Sequence, residues 1–214
     1  MNQPANDADR PAYHHGDLRR ALFDAAIDLI EEQQNWDFSL RELARRAGVS
    51  HNAPYSHFAS KSELLAAVAA AGFELLSQEM ARAAAAAPGP DAACTAVGEA
   101  YVRFGRAHPG HYRLMFRSTF MSTEDGMAEP VMRAAHAAKL VIWNVIAEGA
   151  RAGVFAIDPA DPAAIELGVL ACWSSVHGLT MLFLDKLLGE FANDHPERVI
   201  SSVVRAELEG LRRR

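Results

Sequence analysis

The stretch from Ser39 to Lys61 gathers Arg41, Arg45, Arg46 and Lys61 against the single carboxylate of Glu42, in a chain whose formal net charge is -6. Such a local cationic excess makes an electropositive face, the kind that neutralises phosphates. Within it, Ser50-His51-Asn52-Ala53-Pro54-Tyr55-Ser56-His57-Phe58 carries hydroxyls, imidazoles and an amide at most positions. These groups hydrogen-bond base edges or phosphate oxygens, and the Asn52 amide can pair twice with one adenine. Ser60-Lys61 follow at a helix start, where free amides, the helix dipole and an ammonium can converge on one phosphate.

A second group of residues lies in the C-terminal two-thirds. Met115, Phe116, Trp143, Trp173, Met181 and Phe183 place thioethers and wide aromatic faces in a region otherwise dominated by Ala, Leu and Val. That composition suits a cavity for a small apolar or aromatic ligand, and it suits an ordinary core as well. His177 can supply one donor or acceptor, and Gly178 leaves room for a ligand or another backbone. His177 beside Ser174 and Ser175 also holds the parts of a nucleophile and base, and His108 and His111 have an i, i+3 metal-ligand spacing. Neither pair has the third group that such chemistry needs, and the GxGxxG, GxxxxGK[ST], HExxH and GxSxG patterns are missing. The expectation is a protein that is not an enzyme and that uses no cofactor or metal. Cys94 and Cys172 are far apart in the sequence and in no ligand spacing, and read as small core residues without a disulfide.

The elements that position these residues read as helices. Leu18, Leu22, Ala25, Ala26, Leu29 and Ile30 recur at helical spacing from Asp17 onward. Ser39-Leu40-Arg41-Glu42 is a capping box that opens a short second helix to Ala47, with Gly48 ending it. Ser50 then caps a third helix through about His57, so that two short helices enclose a tight Gly-containing turn. Ser60-Lys61-Ser62-Glu63 opens a long Ala-rich helix that runs to the break at Pro88-Gly89-Pro90. Apolar periodicity beyond it predicts helices near 91–107, 110–117, 128–151, 162–188 and 194–212. Val141-Ile142-Trp143 and Met181-Leu182-Phe183-Leu184 are compatible with strands, but each lies inside a longer helical pattern. The predicted fold class is all-α: a three-helix, helix-turn-helix N-terminal domain joined by a long helix to a second helical domain.

At 214 residues with 50% hydrophobic and 22% charged residues, the chain can bury a real core, and general disorder is excluded. Its acidic balance excludes binding of polyanions over the whole surface. The longest unbroken apolar run, about Leu64 to Phe73, falls far short of the roughly 20 residues that cross a bilayer. Met1 to Arg10 lack the basic and apolar regions of a secretory signal, so the expectation is a cytoplasmic protein without a membrane partner.

Three segments carry a resemblance. Tyr13-His14-His15-Gly16-Asp17-Leu18, then Ser39-Leu40-Arg41-Glu42-Leu43-Ala44-Arg45-Arg46-Ala47-Gly48-Val49-Ser50, then Tyr55-Ser56-His57-Phe58-Ala59-Ser60-Lys61-Ser62-Glu63-Leu64-Leu65 resemble the DNA-binding half of TetR/AcrR-family transcriptional regulators. Trp173-Ser174-Ser175-Val176-His177-Gly178-Leu179 resembles a Trp…His-Gly stretch found in the C-terminal domain of one branch of that family. Residues 1–12, with Asn, Gln, Pro and Asp and no periodicity, read as a mobile tail, and the resemblance implies a DNA-binding domain over 13–68 and an effector-binding and dimerisation domain over 69–214. It further implies a homodimer on a pseudo-palindromic operator in double-stranded DNA, most simply a repressor released by an unidentified small apolar or aromatic molecule. Carried over residue by residue, Ser39 and Arg41 face phosphate or the groove edge, and His51, Asn52 and Ala53 on the Ser50-capped helix meet base edges. Tyr55, His57 and Lys61 contact phosphate. Met115, Phe116, Trp143, Trp173, His177 and Met181 are the candidate ligand-binding residues. One departure stands out: where many members have a small residue followed by Leu, this chain has Ala53-Pro54, and proline removes a backbone donor early in the helix. A helical interaction or ligand-binding protein that never touches DNA is the competing reading, separated by an operator-binding assay.

Overall fold

The computed structural model of the chain describes residues 15–116 and 129–212, with side chains from 18 onward. Every regular element among them is helical, and extended pairing is confined to one isolated bridge between Phe155 and Arg212. The chain divides into two compact units between Leu64 and Leu65. His14 and the rest of 1–14, which begin the resemblance, lie outside the described residues, as does the His15 side chain.

In the first unit, α1 (His15–Gln33) turns Leu22, Ala26, Leu29 and Ile30 inward. Helix α2 (Leu40–Arg46) buries Leu40, Leu43 and Ala44 against it, and Phe38 and Phe58 close the small core. The Ser39 hydroxyl caps α2 by accepting from the Glu42 amide at 3.1 Å, as expected. The other half of that capping box does not form, because the Glu42 carboxylate accepts from the Gln33 side-chain amide instead, at 3.4 Å. Gly48 ends α2 at φ +69, a left-handed conformation open to glycine at little cost. The Val49 amide then donates back to the Ala44 carbonyl, so the chain reverses within a few residues.

The expected third helix is corrected to a single 3-10 turn, Ala53–Ser56. Its bonds run three residues back, from Ala53 to Ser50, Tyr55 to Asn52 and His57 to Pro54. Pro54 has no N–H with which to continue an α-helical ladder onto the Ser50 carbonyl, so Ala53 takes that acceptor and tightens the turn. The Ser50 side chain is not the cap either: the residue before the turn is Asn52, whose side chain makes no capping bond.

Helix α3 (Lys61–Ala85) begins with a fuller cap, in which the Glu63 amide donates to Ser60 Oγ at 3.2 Å and the Ala59 amide donates to the Glu63 carboxylate at 2.6 Å. Most of α3 belongs to the second unit, with α4 (Pro90–Ala107), α5 (Pro109–Met115), α6 (Glu129–Arg151), α7 (Pro162–Leu184), α8 (Gly189–Asp194) and α9 (Pro196–Leu211). Pro at the first turn of α4, α5, α7 and α9 falls where its missing donor has no helical partner in any case. The predicted 162–188 helix stops at Leu184, since Lys186 takes φ 56 and Gly189 φ 72, and α8 intervenes before Pro196.

Helices α4, α6, α7 and α9 form the core of this unit. A Cβ on Gly98 would lie 3.0 Å from Val204 of α9 and 3.5 Å from Val176 of α7, and one on Gly105 would overlap the Thr180 methyl, so α4 meets both neighbours at glycines. The two contacts with α7 advance together along both helices, so α4 and α7 run parallel. By length and composition alone, α3 and α7 reach what a bilayer crossing needs, although neither carries an unbroken apolar run of that length. Part of α3 packs as core through Val68, Phe73, Leu76 and Met80; α7 buries Ile165, Val169, Val176 and Leu179 but leaves Leu167, Leu170 and Leu182 exposed.

Candidate nucleic-acid interface and apolar cavity

The turn after α2 is built to display its polar groups. Pro54 and Phe58 are buried and anchor it, while Ser50, His51, Asn52, Tyr55 and Ser56 are exposed, Tyr55 by 57% despite its large ring. Ala53 and His57 are half-buried, and the Ser56 hydroxyl donates to the Ala53 carbonyl at 2.7 Å, holding the turn from inside. Arg41, Arg45, Val49 and His51 line one shallow open recess. This places Arg41 and His51 together as candidate contacts. It also adds Arg45, which the sequence registered only as charge. Val49 is half-buried and faces this recess.

The cations of the segment are not equivalent. Arg46 binds the Glu32 carboxylate through both terminal nitrogens, an exposed pair that draws the Glu32 carboxyl down and the guanidinium up by hydrogen bonding. It is therefore neutralised within the unit. Arg41 and Arg45 are exposed on the recess, and the Lys61 ammonium lies 5.0 Å over the Phe38 ring at the start of α3. Ser39 is exposed at the head of α2 with its hydroxyl already accepting the capping bond.

The second unit holds a partly open cavity of about 220 Å³, above the roughly 150 Å³ at which a dry apolar cavity accepts benzene. Phe73, Leu76 and Met80 of α3, Phe116, Ile142 and Trp173 supply apolar wall, and Tyr101, His136 and Lys139 bring polar atoms. The Lys139 ammonium is ion-paired with Glu166, so it is not an isolated charge on that wall. Of the ligand residues expected from sequence, Phe116 and Trp173 line this cavity. His177 packs edge-on to Phe116 with ring centres 4.5 Å apart. Met115, Trp143 and Met181 do not line it. Met115 is fully buried where α5 meets α3, and a Cβ on Gly72 would lie 2.6 Å from its sulfur. Trp143 and Met181 are half-buried elsewhere on α6 and α7.

Behind the cavity wall lies a polar cluster that the sequence reading missed. Tyr112 Oη is 2.7 Å from His177 Nδ1 and 2.9 Å from Tyr101 Oη, Tyr101 Oη is 3.2 Å from His177 Nδ1, and Trp173 Nε1–H donates to Tyr101 Oη at 3.0 Å. Burial pushes both tyrosine hydroxyls well above the ordinary phenol range and draws the His177 imidazole below the usual histidine value. The cluster is thus neutral near pH 7, with His177 serving the tyrosines through Nδ1 and providing no hydrogen bond to a serine nucleophile. Tyr101 joins the two settings, since it lines the cavity and accepts the Trp173 bond. Two tyrosines on otherwise apolar helical faces, eleven residues apart, were the available sign, because a buried phenol needs a partner. His111, considered as a metal ligand, donates from Nε2 to the Val68 carbonyl at 2.6 Å and so ties α5 to α3. Gly178 has open space where a side chain would stand.

The N-terminal segment 22–68 matches the family model of bacterial regulatory proteins of the tetR family, and 94–206 matches that of the tetracyclin repressor-like C-terminal domain. Among solved structures, a protein of unknown function from Rhodococcus sp. RHA1 is 31% identical with a TM-score of 0.81, covering 95% of this chain and 100% of that one. A tetR-family regulatory protein from Rhodococcus RHA1 is similar at 20% identity and TM-score 0.70, covering 91% and 96%. A TetR-family transcription regulator from Marinobacter aquaeolei VT8 follows at 17% identity and TM-score 0.68, covering 92% and 96%. No curated protein matches the chain.

Proposed function

The chain belongs to the TetR family of DNA-binding transcription regulators, and from that premise we propose that it is a homodimeric repressor whose hold on its operator is released by a small apolar or aromatic molecule. The observation that carries the reading is the pairing of an exposed, phosphate- and base-competent turn in one unit with a partly open aromatic cavity in the other. In the first unit His51, Asn52 and Ala53 meet base edges, while Ser39, Arg41, Arg45, Tyr55, His57 and Lys61 hold phosphates. A turn this short reads few base pairs, so specificity needs two half-sites related by the two-fold axis of a dimer.

The exposed apolar residues Leu167, Leu170, Leu182 and Leu187 support a dimer face on and just beyond α7, whereas Ile165, Val169, Val204 and Leu208 pack within the chain. Open space at Gly178 on the same helix suits close approach of a second backbone. The effector takes the cavity between Phe73, Phe116 and Trp173, with Tyr101 as its polar neighbour. It also presses on Phe73, Leu76 and Met80 of α3, the helix whose first residue is Lys61. Release requires that the effector bind the DNA-incompetent arrangement more tightly, with a coupling of about 1–3 kcal/mol. No catalysis is invoked.

The test is selection of bound genomic fragments with the full chain, followed by screening of compounds related to the genes beside those fragments for release. A palindromic motif recovered by a dimer, and a compound that releases wild type but not Trp173→Ala or Tyr101→Phe, supports the reading. A stable monomer at micromolar concentration, or release untouched by both substitutions in a folded dimer, refutes the dimer or the cavity respectively.

A further inference from the structure

Cys94 and Cys172, far apart in the chain and read from sequence as two separate core residues, are neighbours in the fold. Cys94 lies on α4 and Cys172 on α7. The contact of Gly98 with Val176 fixes the register of the two parallel helices, and one turn back on each lie the two cysteines. Both line the same narrow space of about 30 Å³, whose other walls include Gly98, Val176 and Glu207. Hydrogen bonding with the neighbouring Cys172 thiol draws the Cys94 thiol below its ordinary range against the opposing pull of burial and of the Asp91 and Glu207 carboxylates. Cys172 is pushed up by the same interaction and by burial. Neither thiol is sealed in, since both residues keep partial exposure.

We propose that Cys94 and Cys172 are a peroxide-oxidisable pair that closes an intramolecular disulfide between α4 and α7. The oxidant is hydrogen peroxide. The Cys94 thiolate attacks one peroxide oxygen, a sulfur–oxygen bond forms as the oxygen–oxygen bond breaks, and with the thiol proton the leaving hydroxide becomes water. Cys94 is then a sulfenic acid. The Cys172 sulfur attacks the Cys94 sulfur, the disulfide bond forms as the sulfur–oxygen bond breaks, and a second water leaves with the Cys172 proton. Two thiols have lost two electrons and two protons, and the peroxide has been reduced to two waters. The side chains must turn to bring the sulfurs to about 2.05 Å, which helices meeting at a glycine one turn away allow.

The space that holds the pair shares Tyr101 and Ile142 with the larger aromatic cavity. A disulfide there fixes α4 against α7 about two helical turns before Tyr101 on α4 and one residue before Trp173 on α7, the two ends of the Trp173–Tyr101 hydrogen bond, and so bears on the ligand site without touching the ligand. This consequence rests on the proposed effector role of the cavity; the oxidation itself does not.

The experiment treats the full-length reduced protein with a few equivalents of hydrogen peroxide and maps its peptides by mass spectrometry without reduction. The expected product is a linked pair of peptides carrying Cys94 and Cys172 with two hydrogens lost, formed at a rate independent of protein concentration and reversed by dithiothreitol. Cys172→Ser is expected to trap Cys94 as a sulfenic acid that dimedone labels, with no linked peptide. Because wild-type mapping carries the result, a variant that fails to fold does not remove the test. Cysteines that stay reduced in the native protein while a urea-unfolded control reacts, a bond joining two chains, or sulfinic acid on Cys94 without linkage each overturns the proposal. A disulfide that forms but leaves affinity for a screened effector unchanged keeps the oxidation site and refutes its bearing on the cavity.

Discussion

Removing one oxygen from the buried cluster behind the cavity discriminates between its two tyrosines. In Tyr101→Phe, Trp173 Nε1–H loses its acceptor at 3.0 Å, while His177 Nδ1 keeps Tyr112 at 2.7 Å. The cost is that of a partly buried donor left without a partner, about 1–3 kcal/mol. In Tyr112→Phe, His177 Nδ1 keeps Tyr101 at 3.2 Å and Tyr101 keeps Trp173, so every remaining group still has a partner. That loss is one net hydrogen bond, about 0.5–1.5 kcal/mol. For a chain of this length the two midpoints correspond to Tm losses of about 4–8 °C and 2–4 °C. The double variant should exceed the sum, since His177 Nδ1, which keeps one tyrosine in each single change, loses both. Urea denaturation at fixed protein concentration, with m unchanged, measures all three, and Trp173 fluorescence reports the same site. Tyr112→Phe costing as much as or more than Tyr101→Phe, or strict additivity, would refute the assignment of Tyr101 as the hub.

Other changes test the remaining contacts. Gly105→Ala puts a methyl into the Thr180 side chain and should destabilise by about 1–3 kcal/mol despite the better helix propensity of alanine, whereas Gly210→Ala on α9, with nothing within 4 Å, should gain about 0.5–1 kcal/mol by thermal or urea denaturation. Lys61→Ala should weaken cognate and random DNA alike and reduce the magnitude of the salt slope by about one, read from titrations at several salt concentrations. The lowered His177 pKa makes the unfolded chain the stronger proton binder, so its contribution to stability is full above about pH 6.5 and declines as pH falls from there toward the folded value. The difference in urea midpoint between wild type and His177→Gln should shrink on acidification; a difference that grows would contradict the neutral, buried assignment.

Much of this architecture is written in local chemistry. Ser39, Gly48, Ser60, Pro90 and Pro162 mark helix ends because caps, left-handed glycines and N-terminal prolines act within a turn of where they stand. Pro54 is also local, and its effect was visible as a missing donor, yet whether α2 is followed by an α-helix or a 3-10 turn depends on which amide takes the Ser50 carbonyl. The cavity is harder to read, since its residues come from α3, α4, α6 and α7 and from Phe116 just after α5, and depend on helical phase. Trp143 follows Ile142, a wall residue, by about 100° around α6, and Met181 is displaced from Trp173 by about 12 Å along α7. Composition favoured both, and phase places them elsewhere. Cys94 and Cys172 show the same limit: only the register of two packed helices makes them a pair.

The central claim is that the turn after α2 reads DNA sequence while the surrounding cations hold its backbone. Titration of the full chain against a selected operator and against random duplex, each over a range of salt, for wild type, Asn52→Ala and Arg45→Ala, tests it directly. Asn52→Ala should lose about 1–3 kcal/mol on the operator and little on random DNA, with the salt slope kept. Arg45→Ala should weaken both duplexes and flatten the slope by about one. Equal loss on both duplexes for Asn52→Ala, or wild-type binding with no operator preference and no salt dependence, would contradict the account.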